Sequence, residues 1–150
     1  LRERLAGTLP GLDAQMRFAP YPVRSGWKAG HFPTDARLAA ALLLVYPGAN
    51  GAAVVLTVRH HGLTRHAGQV SLPGGATDPG ETLIDAALRE AFEEVGVDPA
   101  TVRVLGELTP VHVLVSGFTL HPIVGITDVR PAFRAGGTVT VSAYDPACQS

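Results

Sequence analysis

One segment, residues 75–97 with the sequence GATDPGETLIDAALREAFEEVGV, constrains the fold of this chain more than any other. Thr82 followed by Asp85 is typical of a helix start, and Gly96 is typical of a helix end, so a helix is predicted over residues 83–95. Its apolar residues recur at 4-3-4 spacing and are Ile84, Leu88, Ala91 and Val95. This spacing predicts one apolar stripe that packs against a core.

The polar side of this predicted helix carries three glutamates close together. At about 100° per residue, Glu90, Glu93 and Glu94 fall on the side away from the stripe, with Arg89 at its border. Like charges at this spacing destabilise a helix by roughly a few tenths of a kcal/mol each, so something must compensate for this repulsion. Two interpretations follow from the pattern alone: a solvated acidic face, which is the commoner case, or a site for a divalent metal ion.

The composition is that of a folded protein without a strong net charge. The chain has 150 residues, of which 46% are hydrophobic and 17% are charged, and its formal net charge is -1. These values exclude global disorder and give no indication of nucleic-acid or membrane binding, so any anionic substrate must be bound by local groups. The oligomeric state stays open.

Cysteine usage and hydropathy indicate a compartment. The single Cys148 excludes an internal disulfide, which fits a reducing environment. No apolar run reaches the length of about 18 residues that a transmembrane helix needs, and the first residues lack the apolar run of a signal peptide. We therefore expect a cytoplasmic protein with one domain over residues 1–150.

Apolar and β-branched runs on both sides of the predicted helix indicate strands. Residues 37–46 form a run typical of a buried strand, and the turn after it indicates a hairpin with a strand that ends at Arg59. Further extended segments are predicted at residues 70–72, 101–108, 111–115, 118–127 and 138–144. Pro122 is expected to interrupt the fourth of these. Residues 1–36 are predicted to be a lead-in with a short helix over residues 1–9. The pattern predicts an α/β fold in which helices pack on a mixed sheet.

The helix and the loop before it also carry a spaced set of identities. They follow the pattern G-x5-E-x7-R-E-x2-E-E-x-G and are Gly75, Glu81, Arg89, Glu90, Glu93, Glu94 and Gly96. This pattern resembles the signature of the Nudix hydrolases, and seven matches in one register have a chance probability on the order of 10⁻⁸. The resemblance implies a Nudix-like α/β/α sandwich with a mixed β-sheet, in which residues 75–97 are the Nudix box. It favours the metal interpretation of the glutamates.

The resemblance also implies a set of roles within the box. The ligands of Mg²⁺ or Mn²⁺ would be Glu90, Glu93 and Glu94, joined by the backbone carbonyl of Gly74, since hard cations of this size prefer oxygen ligands. Arg89 would orient the carboxylates through a salt bridge. Glu81 would be a supporting acidic residue near the helix start.

The segment before the box, LTVRHHGLTRHAGQVSLPGG, resembles the one found in the coenzyme A diphosphatase branch of the Nudix family. It departs from that branch at Thr64, where arginine is typical, and at Leu72, where phenylalanine is typical. Downstream, Ser116 begins a Ser-Gly-x4-Pro stretch that resembles the same branch. The residues expected to bind substrate are therefore Arg59, Arg65, His66, Gly74 and Ser116, against the simpler interpretation that the histidines and arginines belong to a loop surface.

These features predict a metal-dependent diphosphatase. Water would attack the diphosphate of coenzyme A or acyl-coenzyme A and release 3',5'-ADP and (acyl-)4'-phosphopantetheine, with the general base unassigned among the box glutamates. The alternatives are a hydrolase of another nucleoside diphosphate derivative, such as ADP-ribose, a nucleotide sugar or an oxidised nucleotide, and a catalytically idle Nudix-fold binding module. Residues 136–150 are atypical of the branch, because their one acid is Asp145 and no glutamate follows Glu107.

Overall fold

The computed structural model describes residues 2–17, 25, 30–59, 69–136 and 139–144. Among these residues there are three α-helices: α1 (Arg2–Ala6), α2 (Gly11–Met16) and α3 (Leu83–Val95). The strands are β1 (Arg37–Gly48), β2 (Gly51–Arg59), β3 (Val70–Ser71), β4 (Gly74–Ala76), β5 (Arg103–Glu107), β6 (Val111–Val113), β7 (Phe118–Ile126) and β8 (Val139–Tyr144). No helix in this part of the chain is long and apolar enough to cross a membrane.

The strands form one mixed sheet with β1 at its centre. β1 runs parallel to β7 and antiparallel to β2 and β4, while β7 is also antiparallel to β5 and β6. β8 pairs with β2, as does the short β3. A strand covered on both faces needs a nearly continuous apolar run, and β1 has one. The predicted β1–β2 hairpin and the predicted strand over residues 138–144 are both confirmed.

The predicted interruption at Pro122 is wrong, because β7 continues through this proline. The carbonyl oxygen of Pro122 accepts a hydrogen bond from the backbone N–H of Leu108, at the junction between β5 and β6. Backbone groups of one residue point to the same side of a strand, so the N–H that proline lacks would face this junction rather than β1. The strand therefore loses no bond to its central neighbour.

The predicted helix over residues 83–95 is confirmed as α3. The Thr82 side chain accepts a hydrogen bond of 3.1 Å from the backbone N–H of Asp85, which caps the first turn. Gly96 ends the helix with φ 73°, the left-handed conformation that glycine adopts without strain. The helix packs on β1 and β4 and buries part of the hydrophobic core against Leu42 and Leu44.

The predicted apolar stripe of α3 is only partly correct. Ala91 and Val95 are fully buried, but Ile84 is 43% exposed, and the other fully buried positions are Ala86 and Ala87. The contact face is therefore turned toward the alanines, because small side chains let the helix lie close to the strands beneath it. This rotation brings Glu90 and Glu94 to the flank of the buried face.

The N-terminal segment contains two short helices where one was predicted. α1 ends at Ala6, and Pro10 precedes α2, which the sequence assigned to the lead-in. The Gln15 side chain donates hydrogen bonds to the backbone carbonyls of Thr109 and Pro110, at 3.0 and 3.1 Å. α2 is thereby attached to the loop between β5 and β6.

Candidate active site

The candidate site begins at the two glycines of β4, which lie unusually close to other parts of the chain. Gly74 pairs with Ala41 and Gly75 pairs with Ala40. A Cβ atom on Gly74 would overlap the backbone of Ala40 and Ala41, so no other residue fits there without a shift. The close approach holds β4 directly beside the central strand.

Two glutamates of α3 lie against these glycines. The Glu94 carboxylate accepts a 3.1 Å hydrogen bond from the backbone N–H of Gly74. The Glu90 carboxylate lies over Gly75, where an added Cβ would overlap its oxygen Oε1. Glu90 and Glu94 are one helical turn apart, so their side chains are neighbours on the same side of α3.

Arg89 joins the acidic residues on the other side of Glu90. Its Nε and Nη2 atoms donate to the two carboxylate oxygens of Glu81, at 2.9 and 3.0 Å, and Nη1 donates to Glu90 at 2.8 Å. Nη2 also donates to the carbonyl of Ala76, at 3.1 Å. The forked guanidinium matches this arrangement because its donors lie in one plane.

These contacts shift the pKa values of Glu81 and Arg89 in opposite directions. The pKa of Glu81 is lowered, chiefly by the hydrogen bond from Arg89 and then by the hydrogen bond from the backbone N–H of Asp78. The pKa of Arg89 is raised, chiefly by Glu81 and then by Glu90. Both groups are therefore charged at neutral pH, and the pair fixes the loop before α3 to the helix.

Glu93 is more exposed than the other two glutamates of α3. Its side chain is 56% exposed and lies 3.5 Å from Nη1 of Arg89, whereas the Glu90 side chain is 18% exposed. In the part of the chain that the structure describes, no three acidic, histidine or cysteine side chains are grouped closely enough to hold a metal ion. Glu90 and Glu94 lie against β4, whereas Glu93 lies on the exposed side of α3 beside Arg89, so the binding of one ion by all three carboxylates stays a prediction.

The donor set still fits a divalent cation. Glu90 and Glu94 offer carboxylate oxygens on one flank of α3, which are the ligands that Mg²⁺ and Mn²⁺ prefer. Magnesium keeps several water ligands and needs only one or two carboxylates from the protein. Two glutamates with the adjacent Gly74 backbone therefore form a suitable site, and the ligand role of the Gly74 carbonyl remains a prediction.

The other predicted substrate residues are distributed differently. Arg59 ends β2, but its side chain, like Arg65 and His66 as a whole, lies outside the described residues. Ser116 lies in the exposed turn between β6 and β7, where its hydroxyl donates to the carbonyl of Val113 at 3.3 Å. Ser116 and Gly74 both line one cleft.

This cleft has a volume of about 380 Å³ and lies on the sheet face opposite α3. Its floor is made by Ala39 and Ala41, which alternate with the residues of β1 that face the helix. Its other lining residues are Ser71, Leu72, Gly74, Gly75, Ala76, Val113, Ser116, Phe118 and Leu120. Phe118 and Leu120 were not predicted as lining residues, although their alternation along β7 indicates that they share one face of the sheet.

A second acid–base pair was also missed. Nδ1 of His121 and Oε1 of Glu107 are 2.6 Å apart, on β7 and β5. No local pattern connects these residues, since they come together only through the antiparallel pairing of the two strands. The pair lies on the same face of the sheet as Ile123, a residue of the core beneath α3.

Comparison with known protein families gives the class of this protein. Residues 36–135 match the family described as the NUDIX domain. The match includes β1, the Gly74–Gly75 approach and all of α3. The chain therefore belongs to the Nudix family, and the α/β sandwich with a mixed sheet is confirmed.

Similar curated sequences carry the name uncharacterized Nudix hydrolase NudL. The one from Citrobacter koseri is 44% identical over 93 residues, which cover 61% of this chain and 48% of the relative. The one from Klebsiella aerogenes is 46% identical over 99 residues, which cover 63% of this chain and 78% of the relative. This chain spans about half the length of the Citrobacter, Escherichia and Salmonella relatives.

Solved structures show the same fold. The Nudix hydrolase RenU from M. smegmatis has a TM-score of 0.61 and 26% identity, covering 72% of this chain and 70% of that chain. The NUDIX domain of Shewanella oneidensis NrtR, solved with ADP ribose, has a TM-score of 0.56 and 19% identity, covering 90% and 84%. The similarity to the NrtR domain concerns the fold alone.

Proposed function

We propose that this chain is a divalent-metal-dependent hydrolase that cleaves the diphosphate of coenzyme A or acyl-coenzyme A. The observation that carries the proposal is the placement of Glu90 and Glu94 against Gly74 and Gly75, with Arg89 joined to Glu90 and Glu81. Membership of the Nudix family and the hydrolase name of the relatives support it. The choice of coenzyme A rests on the segment before the box and on Ser116.

The roles of the residues follow from their positions. Glu90 and Glu94 would hold the cation, which when bound supplies positive charge to the diphosphate oxygens and makes water more acidic. Arg89 prevents Glu90 from turning away, because its guanidinium is itself anchored by two bonds to Glu81. Glu93 is exposed beside them and is proposed as an auxiliary ligand.

Water is the proposed nucleophile, and a glutamate of the box accepts its proton. Attack at one phosphorus releases 3',5'-ADP and (acyl-)4'-phosphopantetheine. Arg59, Arg65 and His66 are proposed to contribute positive charge and donors to the substrate phosphates. A binding module would gain nothing from two carboxylates held side by side, so the enzyme is the favoured function over the idle module.

A panel of diphosphate compounds tests this proposal. The protein is incubated with Mg²⁺ or Mn²⁺ and with coenzyme A, dephospho-coenzyme A, ADP-ribose or a nucleotide sugar, and the products are identified by mass. We expect 3',5'-ADP and 4'-phosphopantetheine from coenzyme A, with a higher kcat/KM than for the other compounds. A clear preference for ADP-ribose would support the other hydrolase class, and turnover of none of them would support the binding module.

A further inference from the structure

We propose that the cleft opposite α3 binds the adenosine 3'-phosphate portion of the substrate, and that Arg37 at its rim contacts the 3'-phosphate. The proposal rests on the proposed function, because it assigns the place of one half of a coenzyme A-type diphosphate. It extends the expected substrate contacts of Gly74 and Ser116 to a whole cleft and adds Arg37 as a specificity-determining residue.

The shape and chemistry of the cleft suit a flat organic ring. Its floor consists of the small residues Ala39 and Ala41, and its walls include Leu72, Phe118 and Leu120. An apolar site with a few hydroxyl groups is typical of pockets that take a flat organic ring. The hydroxyls here belong to Ser71, which is hydrogen-bonded to the Thr57 hydroxyl, and to Ser116, which donates to the Val113 carbonyl. Their oxygens can still accept, so an aromatic base finds apolar contact and two polar partners.

The cleft is continuous with the candidate active site. Gly74 and Gly75 line the cleft, and the same two glycines are contacted by Glu94 and Glu90. Among the described strands, β4 pairs only with β1. The glutamates and the cleft therefore lie on the two sides of this one short strand. A molecule with its diphosphate at the glutamates therefore needs to pass only this strand to enter the cleft.

The rim of the cleft carries a positive charge. Arg37 lies on the same face of β1 as Ala39 and Ala41, and its guanidinium carbon is 4.1 Å from the centroid of the Phe118 ring. Stacking on the ring orients the guanidinium while leaving its edge available for donation. None of the ion pairs among the described residues involves Arg37.

Charge complementarity indicates which half of coenzyme A the cleft binds. The pantetheine arm of coenzyme A is uncharged, whereas the adenosine half carries a 3'-phosphate beside its ribose. An exposed arginine at the rim of an apolar cleft suits the second half, since guanidinium groups bind phosphate through paired hydrogen bonds.

Binding of adenosine 3',5'-bisphosphate to the full chain tests the proposal without requiring turnover. Titration calorimetry in metal-free buffer compares this probe with adenosine 5'-monophosphate, which lacks the 3'-phosphate. We expect Arg37→Gln to weaken binding of the bisphosphate by about tenfold or more and to change binding of the monophosphate by less than about twofold. Arg103→Gln, on the exposed part of β5, is the matched control and should change neither.

A second variant examines the floor of the cleft. Ala39→Leu places a larger side chain in the proposed position of the base and should weaken binding of both probes, with retained folding checked by circular dichroism. The proposal is overturned if the bisphosphate does not bind the unaltered chain, or if Arg37→Gln has no effect on its affinity, as expected when other residues contact the 3'-phosphate. Because no catalysis is measured, failure of coenzyme A hydrolysis would leave these results interpretable.

Discussion

Arg89 connects more parts of the candidate site than any other described residue. It contacts Glu81 in the loop before α3, Glu90 within the helix and the Ala76 carbonyl in β4. Its side chain is 28% exposed, so the interactions are partly shielded from water. The orientation of Glu90 thus depends on a residue that is not expected to touch the metal.

The Glu81–Arg89 pair predicts a pH-dependent contribution to stability. Because the pKa of Glu81 is lowered in the folded state, its contribution is present above the pKa of the unfolded chain and is lost as the pH falls through the lower, folded value. We expect Glu81→Gln to lower the free energy of unfolding at neutral pH. This difference from the unaltered chain should shrink below about pH 4, near the ordinary glutamate pKa of about 4.3.

Urea unfolding at several pH values measures this effect. Glu3→Gln, at an exposed position of α1, is the control and should leave the free energy of unfolding nearly unchanged. A destabilisation by Glu81→Gln that stays constant from neutral to strongly acidic pH would contradict the assignment to the charged pair.

The site residues were predictable from the sequence to different degrees. A salt bridge between Arg89 and a carboxylate of the box was implied by the resemblance to the Nudix signature, and its partners Glu90 and Glu81 lie within one helix and the loop that leads into it. The exposure of Glu93 was not predictable, since it depends on how far the alanines turn α3 toward β1 and β4. The Arg37–Phe118 contact was not predictable either, because it depends on the parallel pairing of two strands that are about 80 residues apart in the chain. No local sequence pattern indicates the register of such a pair.

At the scale of elements, the end of α3 is held by a segment from elsewhere in the chain. The backbone N–H of Arg134 donates to the Val95 carbonyl at 2.9 Å, and that of Gly136 donates to the Glu94 carbonyl at 2.7 Å. Carbonyls in the last turn of a helix lack partners within the helix, so residues 131–136 satisfy two of them. The same contacts fix the turn that carries Glu93 and Glu94.

Gly136 is required for this approach. A Cβ at this position would overlap the Glu93 carbonyl oxygen. We expect Gly136→Ala to destabilise the protein by about 1–3 kcal/mol, the usual cost of an extra methyl group in a packed site, and to weaken metal binding through displacement of the last turn. Thermal unfolding and Mn²⁺ titration measure the two effects.

Ala135→Ser is the matched control because the neighbouring Ala135 side chain is exposed. It should leave both the stability and the Mn²⁺ affinity near those of the unaltered chain. If Gly136→Ala behaved like this control, the segment would not be needed to hold the end of α3.

The helix itself was predictable because its boundaries depend on local chemistry. Thr82 and Gly96 act through contacts a few residues away, and both behave as expected. The position of Ile84 was not predictable from the same sequence, since its exposure is decided by the strands on which the helix rests. α2 was missed for a similar reason, because it is held by bonds from Gln15 to a distant loop.

At the scale of the whole molecule, β1 supports both the candidate active site and the cleft. Its residues alternate between a face covered by α3, with Leu42 and Leu44, and the face that forms the cleft floor. The strand was predictable as a buried apolar run and β2 as its hairpin partner, but its pairing with β4 and β7 was not, since pairing between distant segments follows from the fold as a whole. Its central place explains why one strand affects both sites.

This arrangement predicts a large difference between two leucines of β1. Leu42 is fully buried, so Leu42→Ala should lower the free energy of unfolding by about 2–5 kcal/mol. Leu38 is 46% exposed, and Leu38→Ala should cost clearly less. Chemical denaturation of both variants measures the difference, and equal costs would contradict the assigned register of β1.

The central claim is that Glu90 and Glu94 together hold the metal that the proposed hydrolysis needs. Its most direct test is titration of Mn²⁺, followed by electron paramagnetic resonance, into the unaltered chain and into Glu90→Gln, Glu94→Gln and Glu93→Gln. We expect the first two variants to weaken Mn²⁺ binding by about tenfold or more while remaining folded, and Glu93→Gln to have a smaller effect because its side chain is 56% exposed. Unchanged Mn²⁺ affinity in both Glu90→Gln and Glu94→Gln would contradict the claim.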